Sequence, residues 1–188
     1  MIKKLIPDYY YDTIEDIPFD KFYADGFRLI LTDLDNTLVS YKVYEPVAET
    51  FAWKDRMKEL GYEVIVVSNS KKDRVDRFSQ ALGLPYVKHA MKPLVKGYKR
   101  AIKRVASKKY KKEEILVLGD QLMTDIFGSK RLGLTTIIVT AIDRKTEVWT
   151  TRLNRKLERF FLKKIKRKMP KEYEEKLKAY VEVTHGTN

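Results

Sequence analysis

The sequence predicts an α/β fold: a doubly wound, Rossmann-like parallel sheet covered by helices, followed by basic C-terminal helices. Two observations carry this. Runs rich in β-branched and aliphatic residues recur at Phe27–Thr32, Tyr62–Val67, Ile115–Leu118 and Thr135–Val139, and both faces of each run are apolar. That is the pattern of strands buried on two sides. Helix-like segments stand between the runs, giving the β-α-β-α order of a parallel sheet.

The segment before Gly26 is rich in tyrosine and acid and is expected to be an arm (residues 1–25) packed on the core. The core spans residues 26–142. Its first helix is expected from Pro46 to Leu60, with proline near the first turn and Gly61 as the stop. The second runs from Lys71 to Leu82 and stops at Gly83, and a short strand is expected at Tyr86–Lys88. The third is expected from Pro93 to Ser107, and the fourth from Thr124 to Leu132 before Gly133. Residues 143–188 form a basic helical extension with a proline break at Pro170 and a second helix to Val183. Ligands of such sheets sit beyond the carboxyl ends of the strands, near a topological switch point.

The bulk properties narrow the chemistry. With 188 residues, 44% hydrophobic and 35% charged, a soluble globular chain with one sizeable core is expected. There is no cysteine, so disulfides, thiolate zinc sites and cysteine nucleophiles are excluded and a reducing compartment is expected. Two histidines do not make a multi-histidine metal site. The start, MIKKLIPDYYYD, has no apolar h-region, and no apolar run reaches the ~18 residues of a bilayer span. A net charge of +13 points to a polyanionic partner: nucleic acid, anionic lipid or a phosphorylated ligand.

Four short motifs adjoin predicted strand ends. In LILTDLDNTLV, Asp33 and Asp35 close the first strand and, at i and i+2, face the same way. Two such carboxylates repel, and a divalent cation with hard oxygen ligands, Mg²⁺, relieves the repulsion. Ser68 and Asn69 follow the second strand and lead into a helix, where a hydroxyl and free N–H groups can hold a phosphate. Lys92 stands before Pro93 and the next helix. Gly119–Asp120 ends another strand, with Asp125 one loop later. Each motif alone has an ordinary reading as a cap, a turn or a solvated lysine; the ordered set of four does not.

DLDNTLV, SNS, KP and GDQLMTD resemble, in order, the signature motifs of the haloacid dehalogenase (HAD) superfamily, and the second acid of the first motif places the resemblance in its phosphatase branch. The resemblance implies that Asp33 is the nucleophile and forms an aspartyl-phosphate. It implies that Asp35 is the general acid and base, that Ser68, the Asn69 amide and Lys92 bind phosphate, and that Lys92 also steadies Asp33. Mg²⁺ would be held by Asp33, the Asp35 carbonyl and Asp120, with Asp125 supporting Lys92 or the metal. The gaps between the motifs hold one helix each and no cap domain, so a capless, open site is expected.

The last stretch sharpens the substrate. From Glu147 to Lys168 there are nine Lys/Arg against two Glu. Trp149, Leu153, Leu157, Phe160, Phe161 and Ile165 recur at helical spacing, an amphipathic pattern that packs on the core or meets an anionic membrane. Together with the LIPDYYYDTIEDIP arm, the pattern resembles the YqeG-type HAD subclass IIIA family, related to mitochondrial phosphatidylglycerophosphate phosphatase. One departure is Leu34 between the acids, where the mitochondrial relatives carry Lys. The resemblance implies a phosphorylated lipid substrate at an anionic membrane surface, for a cytoplasmic protein peripheral to the inner face of the membrane. A phosphate on nucleic-acid ends or a soluble phosphate is the second choice, and a nucleic-acid- or ribosome-associated binding protein on the same scaffold is the third.

Overall fold

A computed structural model describes residues 2–71, 73–105, 110–147 and 149–186. In chain order the elements are β1 (Tyr9–Tyr11), α1 (Phe19–Ala24), β2 (Leu29–Thr32), α2 (Ala48–Glu59) and β3 (Glu63–Val67). Next come α3 (Asp73–Leu82), β4 (Tyr86–Val87), α4 (Val95–Arg104), β5 (Ile115–Gly119), α5 (Phe127–Lys130) and β6 (Thr135–Val139). The chain ends in α6 (Trp149–Lys168), α7 (Pro170–Lys176) and α8 (Lys178–His185). The sheet has six strands in the order β1-β6-β5-β2-β3-β4. Every pairing is parallel.

Period-two alternation explains the layers. Leu29 and Leu31 of β2 pack with Ile65, Tyr98 and Ala101 on one face. Ile30 packs with Val64, Val66, Trp53 and Phe78 on the other. All the residues of β2 and β5 are buried, as central strands of a two-sided sheet must be. From β2 the chain winds outward through β3 and β4, then returns to the other side of β2 with β5. The strand order therefore reverses at β2, and the crevice beyond its carboxyl end is the expected ligand site.

The structure adds to or revises several expectations. The arm supplies an edge strand: Tyr9–Tyr11 pairs with Ile137–Val139 of β6. The helix expected at Thr124–Leu132 is instead a wide turn over Leu122–Ile126 followed by the single turn of α5. The helix expected from Pro93 starts at Val95, and its expected end, Ser107, lies outside the described residues, as do Lys72 and the last two residues of the chain. The last helix divides at Leu177 into α7 and α8.

α6 is the largest revision. It docks through Leu162 and Ile165, which join Leu5, Leu122, Ile138, Leu177 and Tyr180 in a third apolar cluster. Arg155 and Glu158 are buried on the same docked side. Of the expected stripe, only Ile165 is buried, and Phe161 is partly so. Trp149, Leu153, Leu157 and Phe160 face outward, with exposures of 74, 50, 44 and 62%. Among the described residues no helix is long and apolar enough to cross a membrane.

Candidate active site

The three central strands each deliver one motif to the same end of the sheet. Thr32 closes β2, and the Asp33 N–H still donates to the Leu118 carbonyl of β5 (3.0 Å), so Asp33 is aimed by the sheet's own ladder. Ser68 follows β3, and its N–H donates to the Val87 carbonyl (3.0 Å). Asp120 follows Gly119, the last residue of β5. Directly after Asp35 the chain turns through Asn36 at φ 65°, a left-handed conformation that asparagine tolerates better than most residues.

Lys92 is the hub of the site. Its Nζ donates to Asp33 Oδ1 and Asp125 Oδ1, both at 2.6 Å, and the side chain is 3% exposed. The Asn69 side chain fixes the backbone that carries this lysine: Nδ2 donates to the Lys92 carbonyl (2.9 Å), and the Lys92 N–H donates to Asn69 Oδ1 (2.6 Å). The Ser68 hydroxyl accepts from the Ser70 N–H (3.1 Å). The Asp35 carboxylate pairs with Arg74 of α3, which also donates to the carbonyls of Val43 (2.8 Å) and Ser40 (3.1 Å).

Asp33, Asp120 and Asp125 are buried, with carboxylate oxygens within 4.8 Å of one another. Burial pushes Asp33 well above the ordinary carboxylate range; Asp125, Asp120 and Asp35 push the same way against Lys92. Burial likewise drives Asp120 up to about 7 against the pull of Arg155. Burial alone would lower Lys92, but Asp125 and Asp33 hold it well above its usual value, so it stays a cation. Lys92 and Arg155 together do not balance the three acids, because Arg155 is shared with Glu147 and Glu158. Asp120 Oδ1 is buried with no hydrogen-bond partner. An unpaired buried oxygen beside two more carboxylates fits a hard divalent cation. Asp125, expected in a supporting role, thus both anchors Lys92 and joins the acid cluster.

Gly119 makes the cluster possible, because a Cβ there would overlap the Asp125 side chain. Gly119→Ala is expected to displace Asp125 from Lys92, lowering stability by about 1–3 kcal/mol through overpacking. Turnover should fall at least tenfold, roughly the value of a lost charge-assisted contact of ~1.5 kcal/mol. Thermal melts and steady-state kinetics would check both.

The motifs line a pocket of about 220 Å³ together with Tyr41, Gln121 and Thr124. Glu147, Thr151 and Asn154 close one side. Those three come from the start of the C-terminal extension, so the capless site still has a wall from outside the sheet. Arg74 and Arg155 escape sequence reasoning. The one available signal for Arg155 was Glu158, an acid three residues on in an otherwise basic helix.

Fold and site together define a phosphatase of the HAD class. The family model described as mitochondrial PGP phosphatase matches residues 2–142, and the chain belongs to that family. It is 38% identical over 176 residues to "Probable phosphatase YqeG" of Bacillus subtilis (strain 168), covering 93% of this chain and all of that one. It is 27% identical over 164 residues to the chloroplastic/mitochondrial phosphatidylglycerophosphate phosphatase 1 of Arabidopsis thaliana. That match covers 81% of this chain but only 45% of the plant protein. Among solved structures, the chain is similar to the magnesium-bound HAD-hydrolase YfnB of Bacillus subtilis (TM-score 0.47, 12% identity, covering 58% of this chain and 87% of that one). It is also similar to the cobalt-bound phosphatase YrbI of Haemophilus influenzae (TM-score 0.48, 13% identity, covering 61% and 69%).

Proposed function

We propose that this protein hydrolyses the terminal phosphate monoester of phosphatidylglycerophosphate at an anionic membrane surface, giving phosphatidylglycerol and inorganic phosphate. The observation that carries the reading is the start of α6. Its first turns hold Thr151 and Asn154 in the pocket wall while Trp149 and Leu153 stand exposed beside them. Exposed Arg152, Lys156, Arg159 and Lys163 flank the stripe. An apolar stripe edged by cations suits the boundary between headgroups and acyl chains. A phosphate in the pocket would then lie close to that boundary. The similarity to the plant phosphatidylglycerophosphate phosphatase supports the same substrate.

In this reading Asp33 attacks phosphorus in line, and the glycerol oxygen leaves with a proton from Asp35. Water, deprotonated by Asp35, then hydrolyses the aspartyl-phosphate. Ser68 and the Asn69 backbone amide hold phosphoryl oxygens, and Lys92 stabilises charge on the phosphate and on Asp33. Asp33, Asp120 and the Asp35 carbonyl would hold Mg²⁺, which supplies charge neutralisation and keeps Asp33 ionised. The protein would act from the cytoplasmic side as a peripheral protein.

A phosphate-release assay with Mg²⁺ tests the substrate: phosphatidylglycerophosphate in anionic vesicles against 3′- or 5′-phosphorylated oligonucleotides and small phosphoesters. Lipid turnover should dominate; turnover of oligonucleotides alone would reject the reading. For the surface, Trp149→Ser/Leu153→Ser/Phe160→Ser protein should lose flotation with anionic vesicles and keep its activity on a small phosphoester. Undiminished flotation would remove α6 from the membrane contact.

A further inference from the structure

Behind Asp120 lies a buried polar network that the proposed chemistry does not use. Arg155 of α6 is 2% exposed and reaches Asp120 from outside the four motifs. Its Nη2 pairs with Asp120 Oδ2, and its Nη1 donates to the Asp120 carbonyl (2.7 Å). The remaining donors go to Glu147 Oε1, from Nε (3.0 Å) and Nη2 (2.9 Å), and to the Tyr180 hydroxyl, from Nη1 (3.2 Å). Glu158 lies 3.6 Å from Nη1 and accepts from the Leu122 N–H (3.2 Å) and the Tyr180 hydroxyl (2.6 Å), with His185 Nε2 at 3.0 Å. All five guanidinium hydrogens are thus directed at acceptors, two of them on Asp120.

The geometry points to Arg155 as a positioning residue for the metal ligand Asp120: it pins one carboxylate oxygen and leaves the other free of hydrogen bonds to serve the metal. The two oxygens of Asp120 have opposite fates. Oδ2 is held by Arg155, whereas Oδ1 is buried without a hydrogen-bond partner, and the carboxylate belongs to the cluster with Asp33 and Asp125. A planar fork that grips both the carboxylate and the carbonyl of one residue fixes its rotamer and its backbone together. Partners behind a ligand orient it in this way at metal sites.

A cation so close to a metal ligand would ordinarily oppose a second cation. Here its charge is already engaged by Glu147 and Glu158, so the Arg155–Glu147–Glu158 unit carries one net negative charge. Orientation is therefore its main effect at the metal. Arg155, Tyr180 and His185 all lie outside the residues 2–142 matched by the family model, so the C-terminal helices become part of the site.

The inference rests on the reading of Asp120 as a metal ligand, and the test separates the two. Mn²⁺ alone is titrated into full-length protein and followed by its electron paramagnetic resonance signal, with melts and circular dichroism in parallel. The wild type is expected to bind Mn²⁺. Arg155→Lys keeps the cation among the acids but cannot grip the carboxylate and the carbonyl at once. It should bind about tenfold more weakly, and Arg155→Gln weaker still. The Mg²⁺ concentration for half-maximal turnover should rise by the same factor, with turnover largely recovered at saturation. Leu162→Ala loosens the docking of α6 without touching Asp120. It should lower the melting temperature and leave Mn²⁺ affinity within about twofold, since it removes packing alone. A folded Arg155→Lys protein with wild-type affinity overturns the proposal, as does equal weakening by Leu162→Ala. A wild type that binds no Mn²⁺ overturns the metal reading and this proposal with it.

Discussion

Asp33→Asn protein is expected to release phosphate about 10⁶-fold more slowly than wild type, the order seen when a covalent nucleophile is removed. It is also expected to fold. Asparagine matches aspartate in size, and Lys92 keeps Asp125 at 2.6 Å as a partner. Burial holds the Asp33 carboxyl well above its ordinary value, so the wild type carries a stability contribution that is complete only while Asp33 is protonated. That contribution is present below the unfolded value of about 4 and is lost as pH rises through the raised folded value. Asparagine has no proton to lose. In EDTA, Asp33→Asn should therefore melt at or above wild type near neutrality, and the difference should close as pH approaches about 4. Phosphate release and melts across pH read both effects. Substantial turnover by pure variant protein would refute the nucleophile assignment.

Lys92→Met should damage both stability and rate. Methionine fills similar volume but leaves three buried carboxylates within 4.8 Å with no lysine between Asp33 and Asp125. Removing one partner of a buried charge pair costs about 3–5 kcal/mol. At about 2–4 °C per kcal/mol for a chain of this size, the melting temperature should fall by roughly 10 °C. Turnover should drop about 10²–10³-fold, as when one preorganised donor is lost. Divalent metal should restore part of the stability, because it answers the same repulsion, but not the rate. A variant that melts and turns over like wild type would show that Lys92 is a passive spacer.

The core of the fold was legible in the sequence because a parallel sheet writes itself locally. Each inner strand is a short run apolar on both faces, bounded by glycine or by the motif it delivers. Other parts were not legible for identifiable reasons. Tyr9–Tyr11 is three residues with no alternation, and only the open edge of β6 makes it a strand. The stretch after Asp120 reads as a helix, but Asp125 must pack over Gly119 and reach Lys92, and the chain widens into a looser turn there. Of the candidate site residues, Asp33, Asp35, Ser68, Asn69, Lys92, Asp120 and Asp125 were all named from motif order. The resemblance also assigned their roles, but the pairing of each carboxylate with its cation, Asp33 and Asp125 with Lys92, Asp35 with Arg74 and Asp120 with Arg155, came only from the fold.

The sequence by itself determined the order of the strands from β2 to β6 along the chain, the residues the central strand ends present and the capless plan, because all of these follow from local pattern and spacing. Only the tertiary structure decided which side of α6 is covered. Helical periodicity shows that a stripe exists, but it does not show which face is buried. The docked side carries Leu162 and Ile165 with Arg155 and Glu158, and those charges tolerate burial only because Asp120, Glu147, Tyr180 and His185 arrive from elsewhere in the chain to pair with them. A buried polar network has no local signature, since its stability comes from partners brought together by the fold.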